Sequence, residues 1–287
     1  MAEKYRFLAL MFSAALVIFA SGCTGINQGA SSGGSGLVIK SFEPDMSSVD
    51  SWEPVKLYML VENTGHAAAT DIKTELMGIN TNEWRLTPRS NNMEHLAPAD
   101  PKYNTHGGTG SVSWNLQAPA ITGSMKQTYR PKVRVTYAYE TTASKLITIV
   151  NRDEIRRLVQ SGRPLPSGST TTYTAGPLAV DIAAGSFIKA GVNRFPVTVK
   201  ITNTGSGSLV SDGGDEYAVD YELTLPAGLS SDCKEGSANL YKGRDYTMTC
   251  DVTVTTTPKI SEEKNIQLIL TYSYFIDAET TITVSGS

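Results

Sequence analysis

The sequence predicts an all-β fold in which one module occurs twice. Short apolar stretches alternate with polar residues at a period of two, Thr, Ser, Gly and Tyr are abundant, and one strand-and-turn pattern recurs 140 residues further along the chain. Of the 287 residues, 40% are apolar and 18% are charged. This balance suits strands and turns better than long helices, and the length is sufficient for two ordinary domains.

The N-terminus reads as an export signal. Two basic residues precede an uncharged apolar run, residues 7–20, which is too short to span a ~30 Å membrane core and has the length of a signal-peptide core. Residues 20–23 (ASGC) resemble a lipobox, although alanine stands where leucine is usual. We therefore predict a signal peptide at residues 1–22 and lipid attachment at Cys23. The alternative is a plain signal peptide followed by an incidental cysteine.

Residues 23–36 read as a tether. Apart from the cysteine they are TGINQGASSGGSG, a Gly/Ser-rich coil with an rms reach of ~20 Å. An acylated cysteine followed by such a coil holds a folded domain just clear of a membrane. The Cys-Thr-Gly start also resembles that of many archaeal lipoproteins. The sequence thus predicts an extracytoplasmic protein that is anchored to the cell membrane by lipid.

A strand followed by a turn occurs in both copies. Residues 37–65 (LVIKSFEPDMSSVDSWEPVKLYMLVENTG) align on residues 177–205 (PLAVDIAAGSFIKAGVNRFPVTVKITNTG) without a gap. Each segment ends in Asn-Thr-Gly, which predicts a turn because Gly supplies positive φ and Asn tolerates it. Period-two alternation predicts two half-buried strands, with inward side chains at Val55, Leu57, Met59 and Val61, and at Phe195, Val197, Val199 and Ile201.

The ends of the two copies match as well. Thr-Tyr-x-Tyr occurs at residues 136–139 and at residues 271–274, within apolar alternation. Paired tyrosines can stack on ligands, but their position among inward aliphatic residues favours core packing. Each copy is therefore ~110 residues of short strands and turns, the pattern of an immunoglobulin-like sandwich. We predict two tandem immunoglobulin-like β-sandwich domains, 37–150 and 172–287.

The strand endings VENTG and ITNTG, with the extended segments before them, resemble the CARDB-type and related Ig-like modules of prokaryotic cell-surface proteins. The resemblance covers residues 37–65 and 177–205, with weaker support at the C-terminal end of each copy. It implies a role in adhesion or surface architecture, and it brings no catalytic residues with it.

A short helix and linker are predicted at residues 151–171. Asn151 and Glu154 have capping-box spacing, three apolar residues share one helical face, and Gly162 is a plausible stop. Four arginines make the segment basic. The helix is interpreted as a solvated connector, and the alternative is a docking helix for a partner or for lipid headgroups.

Two cysteines remain once Cys23 carries lipid, and they predict a disulfide. Cys233 and Cys250 flank a turn-rich stretch in the second copy, and an exported chain lies where disulfides persist. A metal or redox pair is the rival interpretation, but the spacing is far from Cys-x-x-Cys.

No catalytic or metal site is predicted. The three histidines, His66, His95 and His106, lack metal-ligand spacing. Asp212, Asp215 and Glu216 are interpreted as a solvated turn, because they lack the spacing of a calcium loop. A net charge of −3 gives no field for nucleic acid, and no cofactor motif occurs.

These patterns favour a non-catalytic envelope protein that displays two modules for structural or protein-interaction roles. Its predicted partners are the membrane, through Cys23, and another envelope protein or polymer. The alternative function is that of a carbohydrate- or small-ligand-binding surface lipoprotein. A cleft lined by exposed Trp52, Trp84 or Trp114 would favour this alternative, whereas burial of these tryptophans would favour the first function.

Overall fold

The computed structural model describes residues 36–286, except residue 87, residues 192–193 and residues 211–216. The predicted signal peptide, the lipid site Cys23 and the tether up to residue 35 lie outside the described residues. The acidic turn at residues 212–216 lies outside them too.

The fold is all-β, as predicted. The strands of the first copy are β1 (Leu37–Pro44), β2 (Ser48–Asp50), β3 (Pro54–Asn63), β4 (Thr70–Met77), β5 (Ser90–Met93), β6 (Thr109–Gln117), β7 (Lys126–Tyr129) and β8 (Lys132–Val150). After helix α1 (Arg152–Gln160), a short strand, β9 (Thr172–Tyr173), leads into the second copy. The strands of the second copy are β10 (Leu178–Ala183), β11 (Ile188–Lys189), β12 (Arg194–Asn203), β13 (Ser208–Val210), β14 (Ala218–Thr224), β15 (Leu229–Ser231), β16 (Glu235–Asn239), β17 (Asp245–Val254), β18 (Ser261–Glu279) and β19 (Ile282–Ser285).

Helix α1 lies within the predicted segment 151–162 and begins as predicted. The side chain of Asn151 caps it by accepting a hydrogen bond from the Asp153 backbone N–H at 2.9 Å. Glu154 pairs with Arg157 (2.6 Å) instead of closing a capping box. None of the residues of α1 is buried. In the part of the chain that the structure describes, no helix has the length and apolarity to cross a membrane.

The predicted inward faces of β3 and β12 are buried. All eight predicted side chains are at most 6% exposed. The alignment of the copies needs one correction at its start, because Leu37 pairs with Asn63 whereas Leu178, not Pro177, pairs with Asn203. The first copy has one extra residue there, which is accommodated by a β-bulge between Ile39 and Ser41.

Each copy arranges its strands in the same order. In the first, a small sheet β1-β3-β6 faces strands β5-β4-β8; in the second, a small sheet β10-β12-β17-β15 faces β16-β14-β18. In each copy the first two long strands (β1 and β3, or β10 and β12) lie in one layer and the third (β4 or β14) lies in the other. This is the arrangement of an immunoglobulin-like sandwich. The repeat predicted from sequence is therefore a repeat of strand order.

The two copies share one large sheet. Its strands run in the order β16-β14-β18-β8-β4-β5, and β8 and β18 pair antiparallel along the whole of their lengths. At 19 residues each, these strands are ~60 Å long. The pairing is symmetric, because Tyr137 lies opposite Tyr274 and Tyr139 opposite Tyr272. A pseudo-two-fold axis therefore passes between Ala138 and Ser273.

The copies exchange their last strands. The first half of β8 pairs with β4 of its own copy, and its second half runs on into the second copy, where it pairs with the first half of β18. In the same way, the second half of β18 extends into the first copy, where it pairs with the first half of β8. At the far ends, β19 pairs with β2 and β7 of the first copy, and β11 pairs with the end of β8.

Polar contacts reinforce this exchange on the solvent side of the sheet. The guanidinium of Arg134 on β8 donates two hydrogen bonds, each 2.9 Å long, to the carboxylate of Asp277 on β18. Lys132 adds an ion pair at 2.7 Å. Burial raises the pKa of Asp277, but the hydrogen bonds from these two cations outweigh burial and hold its pKa below the ordinary value.

The sequence predicts two tandem domains, whereas the described residues between 36 and 286 belong to one compact unit with one connected core. The predicted boundary at residue 150 is the end of a strand that belongs to both sandwiches. The predicted linker also packs on this body, because the buried amino group of Lys145 donates to the Ser169 carbonyl and the Thr171 hydroxyl accepts from the Ile182 backbone N–H at 2.9 Å.

Candidate functional site

The repeated tyrosines lie together on the pseudo-two-fold axis. The rings of Tyr137, Tyr139, Tyr272 and Tyr274 form a closed circuit with centroid separations of 5.9 to 6.5 Å, mostly edge to face. None is more than 4% exposed. They are core residues, as the alternation predicts.

The hydroxyl groups of these tyrosines hold neighbouring backbone in place. Tyr137 accepts from the Leu37 N–H (3.3 Å), at the start of β1, and Tyr139 accepts from the Ala67 N–H (3.2 Å). In the second copy, Tyr274 accepts from the Gly207 N–H (3.0 Å) and donates to the Asn203 side chain (2.9 Å). Burial raises the pKa of all four tyrosines, so they stay protonated and serve as hydrogen-bonding struts.

The two Asn-Thr-Gly turns surround this cluster, and their glycines serve a purpose other than the predicted one. Neither Gly65 nor Gly205 has a positive φ. A Cβ atom on Gly65 would lie 2.0 Å from the Tyr139 hydroxyl oxygen, and one on Gly205 would lie 2.5 Å from that of Tyr274. Glycine is required because a tyrosine hydroxyl approaches the turn backbone closely, not because of the backbone angle.

An open cleft lies at the far end of the first copy. It has a volume of about 580 Å³ and is formed by the β2–β3 turn, the β4–β5 loop, the β6–β7 loop and β7. The lining side chains include Trp52, Asn82, Glu83, Arg85, Gln127 and Tyr129. Aromatic and planar polar groups that converge on one concavity are typical of small-ligand sites, which makes this cleft the candidate functional site.

Trp52 dominates the cleft. Its side chain is 51% exposed, whereas Trp84 and Trp114 are at most 2% exposed. The Arg85 guanidinium lies 5.2 Å from the Trp52 ring centroid, in cation–π contact. Two of the three tryptophans are therefore buried, and the third lies in the cleft.

Neighbouring side chains hold the lining residues on the other side of the cleft in place. Trp84 packs edge-on against Tyr129 at 5.0 Å, and Asn80 donates a 3.0 Å hydrogen bond to the Glu83 carboxylate. Burial, followed by the charge of Glu83, raises the pKa of Tyr129, so its hydroxyl remains a donor. Among the residues that line the cleft, only Trp52 is predicted from the sequence as a candidate. The other lining residues lie on two loops and a short strand, and no sequence pattern distinguishes them.

Cys233 and Cys250 form a disulfide in the second copy. Their Cα atoms are 5.6 Å apart, within the ~7 Å that a disulfide allows. Cys250 is buried on β17, opposite Val197 of β12. The Asp232 side chain accepts from the Asp251 backbone N–H at 3.0 Å. This hydrogen bond and the disulfide together fasten the segment after β15 to β17.

Replacing both cysteines with alanine is expected to lower the free energy of unfolding by ~3 kcal/mol, because the disulfide restricts the unfolded chain. Denaturant titration of the variant and of the reduced wild-type protein should give matching midpoints. A decrease below ~1 kcal/mol in both would show that the disulfide contributes little to stability.

The remaining predicted residues do not assemble a site among the described residues. The His66 side chain accepts a 3.4 Å hydrogen bond from the Ala175 N–H. His106 is 94% exposed and lies 3.5 Å from Glu62. Across the described ranges, no group of three or more His, Cys, Asp or Glu side chains is placed to hold a metal ion.

Comparison with known proteins finds no matching family model and no matching curated protein. The resemblance to CARDB-type modules therefore rests on the short motifs alone.

Solved structures similar to this chain include the D0-D1 domain of intimin, at 10% identity and a TM-score of 0.22, with 86% of this chain and 98% of that chain covered. They also include the MSCRAMM ACE of Enterococcus faecalis, at 8% identity and a TM-score of 0.15, with 87% and 95% covered. Structural similarities with TM-scores this low do not support any conclusion about function. The strand order of the chain itself identifies an all-β protein with two immunoglobulin-like copies.

Proposed function

We propose that this protein is a non-catalytic component of the cell envelope, held to the membrane by lipid on Cys23, that displays its two fused copies as one rigid unit for structural or protein-interaction roles. The observation that carries the proposal is the shared sheet. Two sandwiches joined through the full length of β8 and β18 have little freedom to move against each other. The buried tyrosines of the central cluster hold neighbouring backbone through their hydroxyl groups, which suits a scaffold.

Lipid attachment is tested by replacing Cys23. In the wild-type protein we expect a diacylglyceryl adduct on an N-terminal cysteine, measured by intact-mass spectrometry of membrane-extracted protein. The Cys23→Ser variant is expected to leave the membrane fraction, because nothing else in the proposal holds the chain there. Ser31→Ala in the tether is the matched control and should remain in the membrane fraction. A mature chain that starts elsewhere without lipid would refute the anchor.

The interaction role is tested by cross-linking in intact envelopes, with the acylated protein as bait. We expect a defined envelope protein or polymer to be captured on the wild-type protein and lost when the outer surface of the shared sheet carries substitutions. Capture that is unaffected by such substitutions would place the interaction elsewhere.

One observation favours a second candidate function, that of a surface lipoprotein that binds a small ligand. Trp52 is exposed inside a cleft, which is the arrangement that the alternative function requires. Because Trp84 and Trp114 are buried, Trp52 is the one tryptophan that can serve this candidate function.

A further inference from the structure

The two copies provide an internal comparison between residues that the fold needs and residues that it does not. Tyr129 precedes Tyr137 by eight residues, and Lys264 precedes the equivalent Tyr272 by eight. In the second copy Lys264 is buried and donates to the Ala227 carbonyl at 2.7 Å and to Glu262 at 2.8 Å. The first copy instead has an aromatic ring at the wall of a cleft. The sandwich therefore forms with a lysine in place of this aromatic ring.

Two backbone conformations in the cleft are costly. Trp52 has φ 68° and Arg85 has φ 48°, both in the left-handed region, which is strained for a residue with a Cβ. Large side chains seldom occupy this region, which glycine and asparagine adopt more readily. Both residues line the same cleft and are in cation–π contact, so two of the six non-glycine residues with positive φ among the described residues stand where the ring is presented.

The surrounding backbone holds the strained turn in one conformation. The Trp52 N–H donates to the Ala118 carbonyl (3.1 Å), and the Trp52 carbonyl accepts from the Gln117 side chain (3.0 Å). A further hydrogen bond spans the turn that contains Trp52: the Asp50 N–H donates to the Glu53 carboxylate at 2.8 Å. The indole is thus presented by a turn fixed at both ends, which reduces the entropy lost when a ligand binds.

We propose that this cleft is a saccharide-binding site, in which the C–H face of a sugar ring stacks on Trp52 while its hydroxyl groups hydrogen-bond to the planar polar side chains around it. The proposal rests on the second candidate function and names its ligand class. Arg85 donates only, Glu83 accepts only, and Gln127 and Asn82 do both. This mixture, neutral in sum, matches neighbouring hydroxyl groups, each of which donates and accepts.

Other ligand classes fit less well. A nucleotide needs several donors for its phosphates, and the cleft offers one arginine beside a carboxylate. A lipid or other apolar ligand needs an enclosed apolar cavity. This cleft is open, and apart from the rings of Trp52 and Tyr129 its apolar lining is confined to Pro119, Ala120 and Ile121.

The test is titration of the full-length protein in detergent with an array of neutral and acidic oligosaccharides, followed by isothermal calorimetry and tryptophan fluorescence for each saccharide that binds. We expect at least one saccharide class to bind. Trp52→Ala is expected to weaken binding at least ~10-fold and Trp52→Phe less, because a smaller ring keeps part of the stacking surface. Gln127→Ala is expected to weaken binding by a smaller factor.

Tyr241 supplies a matched control. It is exposed, with the Lys242 amino group 5.2 Å from its ring centroid, so it repeats the aromatic–cation pair outside the cleft. Tyr241→Ala should leave binding unchanged.

Binding that survives Trp52→Ala in a folded variant, or binding of nucleotides in place of saccharides, would overturn the assignment. Absence of saccharide binding across the array would also overturn it, and would leave the envelope proposal standing, since that depends on acylation of Cys23 and the shared sheet.

Discussion

Cutting the chain between α1 and β9 is expected to leave both halves folded and bound to each other. Residues 163–165 are exposed and belong to no strand, so a protease site inserted after Leu165 should be cleaved without disturbing the fold. The expected product is a complex that elutes from a sizing column at the position of the uncut protein. The halves should separate only in denaturant.

The reason lies in the strand exchange. After cleavage the first half still contains all of β8, and the second half all of β18, and these two strands pair along 19 positions. Each half also lacks a strand that the other supplies, since β19 completes the sheet with β2 and β7. A half purified alone would expose the edge of a long apolar strand, and we expect it to aggregate or to self-associate.

The uncut insertion protein is the control for this experiment, because it carries the same inserted residues. If the halves elute separately and each keeps the circular dichroism of a folded β protein, the copies are independent domains as the sequence predicts. The shared sheet would then contribute little to the stability of either copy.

Gly65→Ala is expected to lower the free energy of unfolding by about 3 kcal/mol or more, as overpacking of a tight core does. The new methyl group would lie 2.0 Å from the Tyr139 hydroxyl oxygen and 2.8 Å from the Ala175 carbonyl oxygen. The second of these atoms is backbone and cannot rotate away. Denaturant titration followed by tyrosine fluorescence or circular dichroism measures the effect.

A double-mutant cycle separates this clash from a general effect on the turn. Tyr139→Phe removes the hydroxyl oxygen, so Gly65→Ala should cost less in that background than in the wild-type protein. Gly162→Ala is the control, because no atom lies within 4 Å of its added Cβ and only its φ of +66° opposes the change. Equal costs for Gly65→Ala in both backgrounds would show that the hydroxyl contact is not the cause.

The sequence predicts the class of fold and the buried faces well, because both follow from local patterns. Period-two alternation places Val197 and Val199 inward wherever their strand lies in the sheet. The same alternation cannot identify the partner strand. It continues through β8 past Tyr139, and a strand that turned back at Glu140 would show the same pattern as one that runs straight on.

The candidate site was only partly predictable for a related reason. Trp52 is conspicuous as a residue type, but its exposure depends on a left-handed backbone that tryptophan disfavours, which surrounding hydrogen bonds impose. Arg85 and Gln127 are ordinary polar residues in sequence. They come together because loops from different strands meet at one end of a sandwich, and this meeting is a property of the tertiary fold.

The place where the chain enters the folded body bears on how the protein responds to force. Gly36 lies beside the central axis, where its carbonyl accepts from the Thr64 N–H at 2.8 Å and Pro177 lies against it. A pull transmitted through the preceding residues is applied at the middle of the molecule and not at one end. The force is then shared by both copies, and neither copy unfolds before the other. Resistance to unfolding by force is therefore a property of the two copies together.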